Sequence, residues 1–200
     1  SGMMVFEFFS TGMPAIAASA GADFLMYDME HTGIGFETLR AQMAACRGLD
    51  IAPLVRVPTT EGNTIGQALD IGAHGVMVPM VETTKQARDL VCRAYYPPLG
   101  VRGTAFGIAH DDYCEDAPSQ IMKQANQRTL VIAMIETATG LANVEEIAAV
   151  DGITGGLGKA VGTTTKTATG VAKAGKKLAQ VGTEAVGGGV GEALAQQAAG

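Results

Sequence analysis

The sequence predicts an α/β protein with a parallel sheet, of the TIM-type (β/α)8 barrel class. Short apolar runs alternate with segments whose apolar residues recur at helical spacing, and the connections between them are short. The run Phe24–Tyr27 is apolar at four consecutive positions, which is typical of a strand that helices bury on both faces. About six strands and the start of a seventh precede residue 154, whereas a complete barrel usually takes about 250 residues. The predicted fold is therefore a (β/α)8 barrel, either complete or incomplete.

The predicted strands are runs rich in β-branched, aromatic and other apolar residues that end at glycine, proline or a charged residue. The first run stops at Gly12 and its neighbours, the third ends in Arg56 and Pro58, and the sixth is followed directly by Glu136. In chain order these strands are 3–9, 24–27, 51–57, 75–79, a short one at 101–104, 130–135 and the beginning of another at 151–153.

The predicted helices combine an apolar face with recognisable start or stop residues. Pro14 suits the first turn of the first helix, and Thr83 or Thr84 suits the N-cap of the fourth. The second helix has apolar residues at helical spacing from Phe36 onward and stops at Gly48. In chain order the helices are 14–20, 36–47, 62–71, 83–95, 118–127 and 141–150.

The composition changes at Thr154, so we divide the chain into a barrel domain, 1–153, and a C-terminal segment, 154–200. This segment is built mainly from Gly, Ala, Thr, Val and Lys, and contains no aromatic residue, proline or aspartate. So many glycines raise the entropy cost of ordering it, and it has little apolar area to bury. The segment is therefore predicted to be a low-complexity tail, disordered or weakly helical, that either patches a gap in the barrel or supports assembly.

Bulk properties exclude several classes of function. The net charge of −6 argues against a nucleic-acid partner. Three cysteines without C-x-x-C spacing favour free thiols in a reducing compartment, so the predicted location is cytoplasmic. The sequence contains no apolar run long enough to cross a bilayer. We therefore expect no membrane span, and we also expect no signal peptide.

Chemically competent side chains follow several of the predicted strands, where barrel enzymes keep their active sites. An imidazole, a fixed cation and a carboxylate in one mouth would suit chemistry on an anionic carbonyl compound. Each residue also has a structural alternative: His31 as a surface side chain, Arg56 as the partner of a neighbouring carboxylate, and Glu136 as a helix N-cap. The candidates are Asp28, Glu30 and His31 after the second strand, Arg56 after the third, Arg102 in a later loop and Glu136 after the sixth.

An ordered set of motifs extends this interpretation. The strings "FLMYDMEHTGIG", "PLVRVP", "QALDIGAHGVMVPMV", "YPPLGVRG" and "VIAMIET" together resemble the HpcH/HpaI aldolase family over residues 3–153. Its members include 4-hydroxy-2-oxoheptanedioate aldolase and 2-dehydro-3-deoxyglucarate aldolase. The resemblance implies a (β/α)8 barrel, a homo-oligomer, and metal-dependent cleavage or formation of a carbon–carbon bond next to pyruvate. The implied partners are a small 2-oxoacid and an aldehyde.

The resemblance also implies roles for individual residues. His31 matches the catalytic base, and Arg56 matches the residue that binds substrate and stabilises the enolate. Asp70 matches a carboxylate that raises the basicity of the histidine. Because Asp70 lies near the end of a predicted helix, and hence near the opposite end of the barrel, we expect it to act from a neighbouring subunit. Asp28 is the closer candidate to orient His31.

The metal site implied by the resemblance is only partly matched. Glu136 matches one ligand of a divalent metal that also binds the substrate oxygens, and Mg²⁺ or Mn²⁺ suits such oxygen ligands, with Co²⁺ as an alternative. Met134 stands where the family has a substrate-binding glutamine. No aspartate follows Asp151, although the family has its second metal ligand in that region.

Three functions therefore remain open from the sequence. The first is a divalent-metal-dependent class II aldolase, a carbon–carbon lyase that acts on 4-hydroxy-2-oxoacids. The second is a non-catalytic barrel fragment with an assembly or surface-binding tail. The third is a citrate-lyase-like enzyme that acts on a CoA thioester, for which the sequence offers no recognisable basic nucleotide-binding patch.

Overall fold

The computed structural model describes residues 1–60 and 63–153, which form a five-stranded sheet with helices between and after the strands. The C-terminal segment and the functions predicted for it lie outside the described residues. The strands are β1 (Gly2–Val5), β2 (Phe24–Asp28), β3 (Ala52–Arg56), β4 (Gly75–Val78) and β5 (Leu130–Ala133). The helices are α1 (Met13–Ser19), α2 (Phe36–Cys46), α3 (Thr64–Asp70), α4 (Thr84–Ala94), α5 (Pro118–Arg128), α6 (Ala138–Ala142) and α7 (Val144–Ala148), with a 3-10 turn at Ala109–Asp111.

The strands lie in the sheet in their order along the chain, and every neighbouring pair is parallel. This confirms the predicted α/β class, and sequential parallel order is the order that strands have in a (β/α)8 barrel. Since parallel strands point the same way, the carboxyl ends of all five meet at one edge of the sheet. The register aligns Asp28 at the end of β2 with Arg56 at the end of β3.

The central strands are buried on both faces, as their continuous apolar sequences predict. Leu25 and Tyr27 of β2 point to one face of the sheet, Met26 between them points to the other, and all three are buried. Leu39 of α2 and Leu90 of α4 cover this sheet from the helical layer and are equally buried. Burial of side chains of this size stabilises a fold by about 1.5–3 kcal/mol each. The strands whose ends carry the candidate residues are therefore part of the stable core.

The short strand expected at 101–104 does not form. The amide of Val101 donates to the carbonyl of Cys92 at 2.7 Å, and the amide of Arg102 donates to the carbonyl of Tyr95 at 3.0 Å. These donors are therefore used by the carboxyl end of α4 rather than by a neighbouring strand. Gly100 packs against that same end, where a Cβ atom would lie 2.4 Å from the Tyr95 carbonyl oxygen.

Other element boundaries also differ from the sequence prediction, and the strand expected over 130–135 ends at Ala133. The first strand ends at Val5 instead of residue 9. The helix expected over 141–150 is two short helices, because Asn143 interrupts it and its side-chain amide donates to the Glu82 carbonyl at 2.8 Å. Residues 151–153 are a turn, in which the Ile153 amide donates to the Val150 carbonyl at 3.1 Å.

The helices of the described residues are too short for a membrane span, since the longest of them have 11 residues, whereas a bilayer core requires about 20.

Candidate active site

Arg56 is the fixed cation at the carboxyl edge of the sheet. As the last residue of β3, it lies beside Asp28, and its Nε donates to Asp28 Oδ1 at 2.6 Å. Its Nη1 lies 3.2 Å from Glu30 Oε2. The side chains of Arg56 and Asp28 are 8% and 0% exposed, respectively. The pairing that the sequence left as a structural alternative therefore exists, and it places a guanidinium at the mouth in a defined orientation.

The surroundings hold both members of this pair in their charged forms. The hydrogen bond with Asp28 raises the pKa of Arg56 against the effect of burial, and the charges of Glu30 and Glu136 act in the same direction. Burial alone would raise the pKa of the Asp28 carboxyl. The hydrogen bonds from Arg56 and from two backbone amides outweigh that effect and hold this pKa below its ordinary value.

Asp28 also organises the loop that follows β2. Its Oδ1 accepts from the Glu30 amide at 3.0 Å, and its Oδ2 accepts from the His31 amide at 3.1 Å. The Thr32 hydroxyl donates to the Asp28 carbonyl and closes the turn. An aspartate that binds amides two and three residues further on is a recognised turn-forming arrangement. One carboxylate thus fixes both the loop that bears the histidine and the cation beside it.

His31 extends from this loop toward solvent, with its side chain 64% exposed. Its Nε2 lies 3.8 Å from Glu30 Oε1, and the same Glu30 carboxylate contacts Arg56 through its other oxygen. We expected Asp28 to orient the imidazole, but the contact of Asp28 is with the His31 backbone amide. The carboxylate beside the ring belongs to Glu30.

Glu136 reaches the same mouth from the segment after β5. Its Oε2 accepts a hydrogen bond from the Met80 amide at 3.1 Å, and Met80 has a left-handed φ of 57°. Glu136 is not the N-cap of α6, since Thr137 fills that position and accepts from the Gly140 amide at 3.0 Å. The charge of Glu136 contributes to the raised pKa of Arg56, so these two residues are electrostatic neighbours.

Met134 belongs to this edge through its backbone. Its amide donates to the Val78 carbonyl at 2.9 Å, and its carbonyl accepts from the Val81 amide at 3.1 Å. These bonds continue the pairing of β4 with β5 by one residue and set the point at which Glu136 leaves the sheet.

Asp70 lies away from the carboxyl edge of the sheet, where the other candidate residues are. It ends α3, and because a connecting helix runs back along the sheet, this end lies at the amino edge of the strands. Its Oδ1 accepts from Arg102 Nη2 at 2.6 Å, and the Arg102 guanidinium lies 4.6 Å from the centre of the Tyr96 ring. Within one chain, Asp70 and Arg102 are partners of each other, and a role for Asp70 beside the His31 of another subunit remains a prediction.

Two residues at the mouth, Phe6 and Met80, were not among the sequence candidates. The Phe6 ring lies 5.9 Å from the Arg56 guanidinium, and the Met80 amide holds Glu136. Phe6 directly follows β1, and Met80 comes two residues after β4; position after a strand was the available signal for both, but an apolar side chain there does not indicate a role. Glu30 was a candidate without an individual role, and the structure places its carboxylate between the imidazole and the guanidinium.

The described residues do not complete a metal site. In residues 1–60 and 63–153, no three His, Cys, Asp or Glu side chains are grouped so that they could hold a metal ion. Glu136 offers oxygen donors of the type that a hard divalent cation prefers, and one of them already accepts the Met80 amide. The donor type suits such a metal, and its further ligands would have to come from outside the described residues or from the substrate.

Because the pKa of Asp28 is lowered in the folded protein, the free energy of unfolding depends on pH in the acidic range. Because the folded-state pKa lies below the ordinary value of 3.8, the unfolded chain binds the proton first, and stability falls as the pH drops from about 4 through the folded pKa. We expect chemical denaturation of the wild type to show this loss below about pH 4, and Asp28→Asn to show a smaller slope over the same range. Equal slopes in the two proteins would contradict the assignment.

A parallel α/β sheet with an Asp–Arg pair, a histidine and a glutamate at its carboxyl edge defines an α/β enzyme-type site. A sequence model of the family described as HpcH/HpaI aldolase/citrate lyase matches residues 3–164. The chain belongs to this family.

Curated relatives resemble the chain over part of their length. A hydroxypyruvate/pyruvate aldolase of Roseovarius nubinhibens is 39% identical over 140 residues, covering 70% of this chain and 54% of the relative. A 4-hydroxy-2-oxovalerate aldolase of Novosphingobium aromaticivorans is 44% identical over 142 residues, covering 69% and 52%. The crystal structure of an HpcH/HpaI aldolase from Desulfitobacterium hafniense superposes with a TM-score of 0.73 at 29% identity, covering 76% and 58%. The chain thus spans about half the length of the curated relatives it matches.

Proposed function

We propose that this chain provides the pyruvate-binding part of a divalent-metal-dependent class II aldolase, which cleaves or forms 4-hydroxy-2-oxoacids through a pyruvate enolate. The observation that supports this most directly is the buried Asp28–Arg56 pair beside Glu136 and the His31 loop. An enolate is an anion that develops during the reaction, and a preorganised cation stabilises such charge more in a dry site than in water. The names of the relatives, aldolases of 2-oxoacids, agree with this chemistry.

Arg56 would stabilise the oxygen of the pyruvate enolate. Its guanidinium needs no reorganisation when charge develops, because Asp28 and Glu30 already hold it. Burial on the sheet side keeps water from screening the interaction.

His31 would transfer the proton to or from the hydroxyl group of the 4-hydroxy-2-oxoacid. Its exposure gives it access to a substrate at the mouth, and its Nε2 lies 3.8 Å from a carboxylate oxygen of Glu30, which can orient the ring. Glu30 would therefore be a positioning residue for the proton transfer, and Asp28 would fix the backbone from which His31 extends.

Glu136 is the carboxylate of the described residues that we assign to the metal, with the carboxylate and carbonyl oxygens of the oxoacid as further donors. The family generally uses a divalent metal, and we propose Mg²⁺ or Mn²⁺, with Co²⁺ as an alternative. When bound, such an ion supplies Lewis-acid polarisation of the substrate carbonyl. We further propose that the protein is a homo-oligomer in the cytoplasm. The free thiols of Cys46, Cys92 and Cys114 agree with a reducing compartment.

The full chain should release pyruvate from 4-hydroxy-2-oxoacids in the presence of Mg²⁺ or Mn²⁺, and EDTA should suppress the release. Pyruvate can be followed with lactate dehydrogenase and NADH, with the coupling enzyme checked separately in EDTA. Restoration of the rate by excess metal is the matched control. Full turnover after exhaustive chelation would contradict metal dependence, whereas turnover of a CoA thioester in place of the oxoacid would favour the citrate-lyase-like alternative.

The second candidate is a non-catalytic barrel fragment. The observation that favours it is the incomplete metal ligand set of residues 1–60 and 63–153. It predicts that no divalent metal restores pyruvate release. If the chain does release pyruvate, the His31→Ala variant separates the two candidates. An aldolase should lose most of its rate, and a contaminating activity should not change.

A further inference from the structure

A second basic site lies at the end of the sheet opposite the Asp28–Arg56 pair. A cavity of about 290 Å³ opens there among the connections that precede β3 and β4 and the end of α5. His74 marks its position, since its amide donates to the Pro53 carbonyl in β3 and its own carbonyl accepts from the Leu130 amide at the start of β5. The cavity is therefore at the amino edge of the strands and shares no lining residue with the candidate active site.

The charged lining of this cavity is mainly basic. Arg47, His74 and Arg128 line it, and Asp112 is the single acidic residue among the described lining residues. Asp112 is already engaged, with its Oδ1 3.4 Å from Arg47 Nε. One arginine charge is thus balanced. Arg128 feels the charges of Asp112 and Asp111 but makes no ion pair with a carboxylate of the described residues.

Both guanidinium groups are held in place by backbone carbonyls. Arg47 Nη2 donates to the Ala109 carbonyl at 2.8 Å, and Arg128 Nη2 donates to the His110 carbonyl. A carbonyl oxygen orients an arginine without neutralising it, so the positive charge remains available. Planar guanidinium groups with spare N–H donors suit phosphate and carboxylate oxygens.

The His74 imidazole is the polar group in this cavity that lacks a partner. It makes no hydrogen bond or ion pair with any residue of the described part of the chain, and it is only partly exposed. Burial lowers its pKa, and the charge of Arg128 lowers it further, whereas Asp112 acts in the opposite direction. The groups that face the cavity around it are Arg47, Asp112, Arg128 and the thiol of Cys46.

We propose that this cavity binds a small oxyanion of the phosphate or carboxylate class, held by Arg128 and Arg47 with His74 as a third donor. An anion would supply the negative charge that the lining lacks and would give the imidazole a partner. A cavity of this volume lies near the lower end of the range for small-molecule sites, so a single phosphate or a short carboxylate fits the scale. The proposal does not depend on the aldolase assignment.

Histidine NMR of the full chain tests this directly, because the protein contains three histidines. Inorganic phosphate should shift the His74 ring signals in a saturable way and raise the apparent pKa of that ring, while His31, at the opposite end of the sheet, serves as the comparison. Pyruvate and citrate, titrated separately at the same ionic strength, distinguish a carboxylate ligand from a phosphate. Potassium chloride at matched ionic strength is the control for general screening.

Variants at the lining separate a built site from general attraction. Arg128→Gln should weaken the binding about tenfold or more, since a charged hydrogen-bonded contact is lost. Lys123→Gln, on the same helix but not in the lining of this cavity, should leave the binding unchanged. His74→Gln supplies a second variant, with binding read by calorimetry, if Arg128→Gln fails to fold.

Three results would overturn the proposal. The first is that none of the anions shifts His74 beyond the effect of chloride. The second is that Arg128→Gln and Lys123→Gln bind equally well. The third is that the anions shift His31 and leave His74 unchanged, which would place the binding at the candidate active site.

Discussion

Replacing Arg56 with lysine should lower the rate of pyruvate formation by about 10²–10³-fold, the usual cost of one preorganised donor to a developing oxyanion. Lysine keeps the positive charge, but an ammonium cannot contact Asp28 and Glu30 through a planar fork while also facing the substrate. The effect should fall on kcat more than on KM, because the interaction strengthens as the enolate forms. Steady-state assay of the full chain measures both constants.

The matched control is Arg88→Lys, an exposed position on α4 away from the sheet edge. It should keep wild-type kinetics. Circular dichroism of both variants checks that the fold is intact. An Arg56→Lys enzyme that is folded and as fast as the control would remove Arg56 from the mechanism and with it the central argument for an enolate site.

Replacing Asp28 with asparagine should destabilise the protein by about 3–5 kcal/mol, the usual cost of removing one partner from a buried ion pair. The change leaves the Arg56 guanidinium with Glu30 as its remaining close carboxylate, and it weakens the acceptor for the amides of Glu30 and His31. Urea unfolding of the full chain gives the free energy of unfolding at neutral pH.

A double-mutant cycle separates the energy of the Asp28–Arg56 ion pair from the contribution of Asp28 to the loop after β2. Arg56→Gln removes the buried charge, so the double variant Asp28→Asn with Arg56→Gln should be more stable than the sum of the two single effects predicts. A coupling energy of about 1–3 kcal/mol is expected for residues in direct contact. If the two effects add without coupling, the pair would be a geometric neighbour and not an energetic one, and the turn alone would account for the loss at Asp28.

Local sequence patterns predicted the sheet well, because two-sided burial leaves a direct trace in residue type. β2 and β3 were recognisable from continuous apolar runs, and their ends were set within one residue by Asp28 and Arg56. The segment around Val101 was misjudged for a physical reason, since a short β-branched stretch is equally compatible with a loop that bonds to a helix end. Asn143 likewise interrupts a helical pattern through a contact that is distant in sequence.

The sequence named charged residues that lie at the carboxyl edge, and their roles stay predictions. It did not indicate the contacts that support these residues. Arg56 and Glu136 were chosen as candidates because each follows a predicted strand. In a parallel sheet the carboxyl ends of all strands lie at one edge, so residues that follow different strands come close together. The contact between Glu30 and the His31 ring depends on how the loop turns. The Met80 amide reaches Glu136 because of a left-handed backbone at a residue that seldom adopts it. Neither the contact between Glu30 and His31 nor the backbone conformation of Met80 can be predicted from the types of the residues involved.

The turn after β2 and the guanidinium of β3 share one anchor, the carboxylate of Asp28. A displacement of the segment that bears His31 would break the two amide hydrogen bonds to the Asp28 carboxylate. That carboxylate would then orient Arg56 less firmly. In the proposed mechanism, the loop that bears His31 and the Arg56 guanidinium would therefore move together. A 2-oxoacid bound at Arg56 would meet a loop whose backbone the same carboxylate already holds.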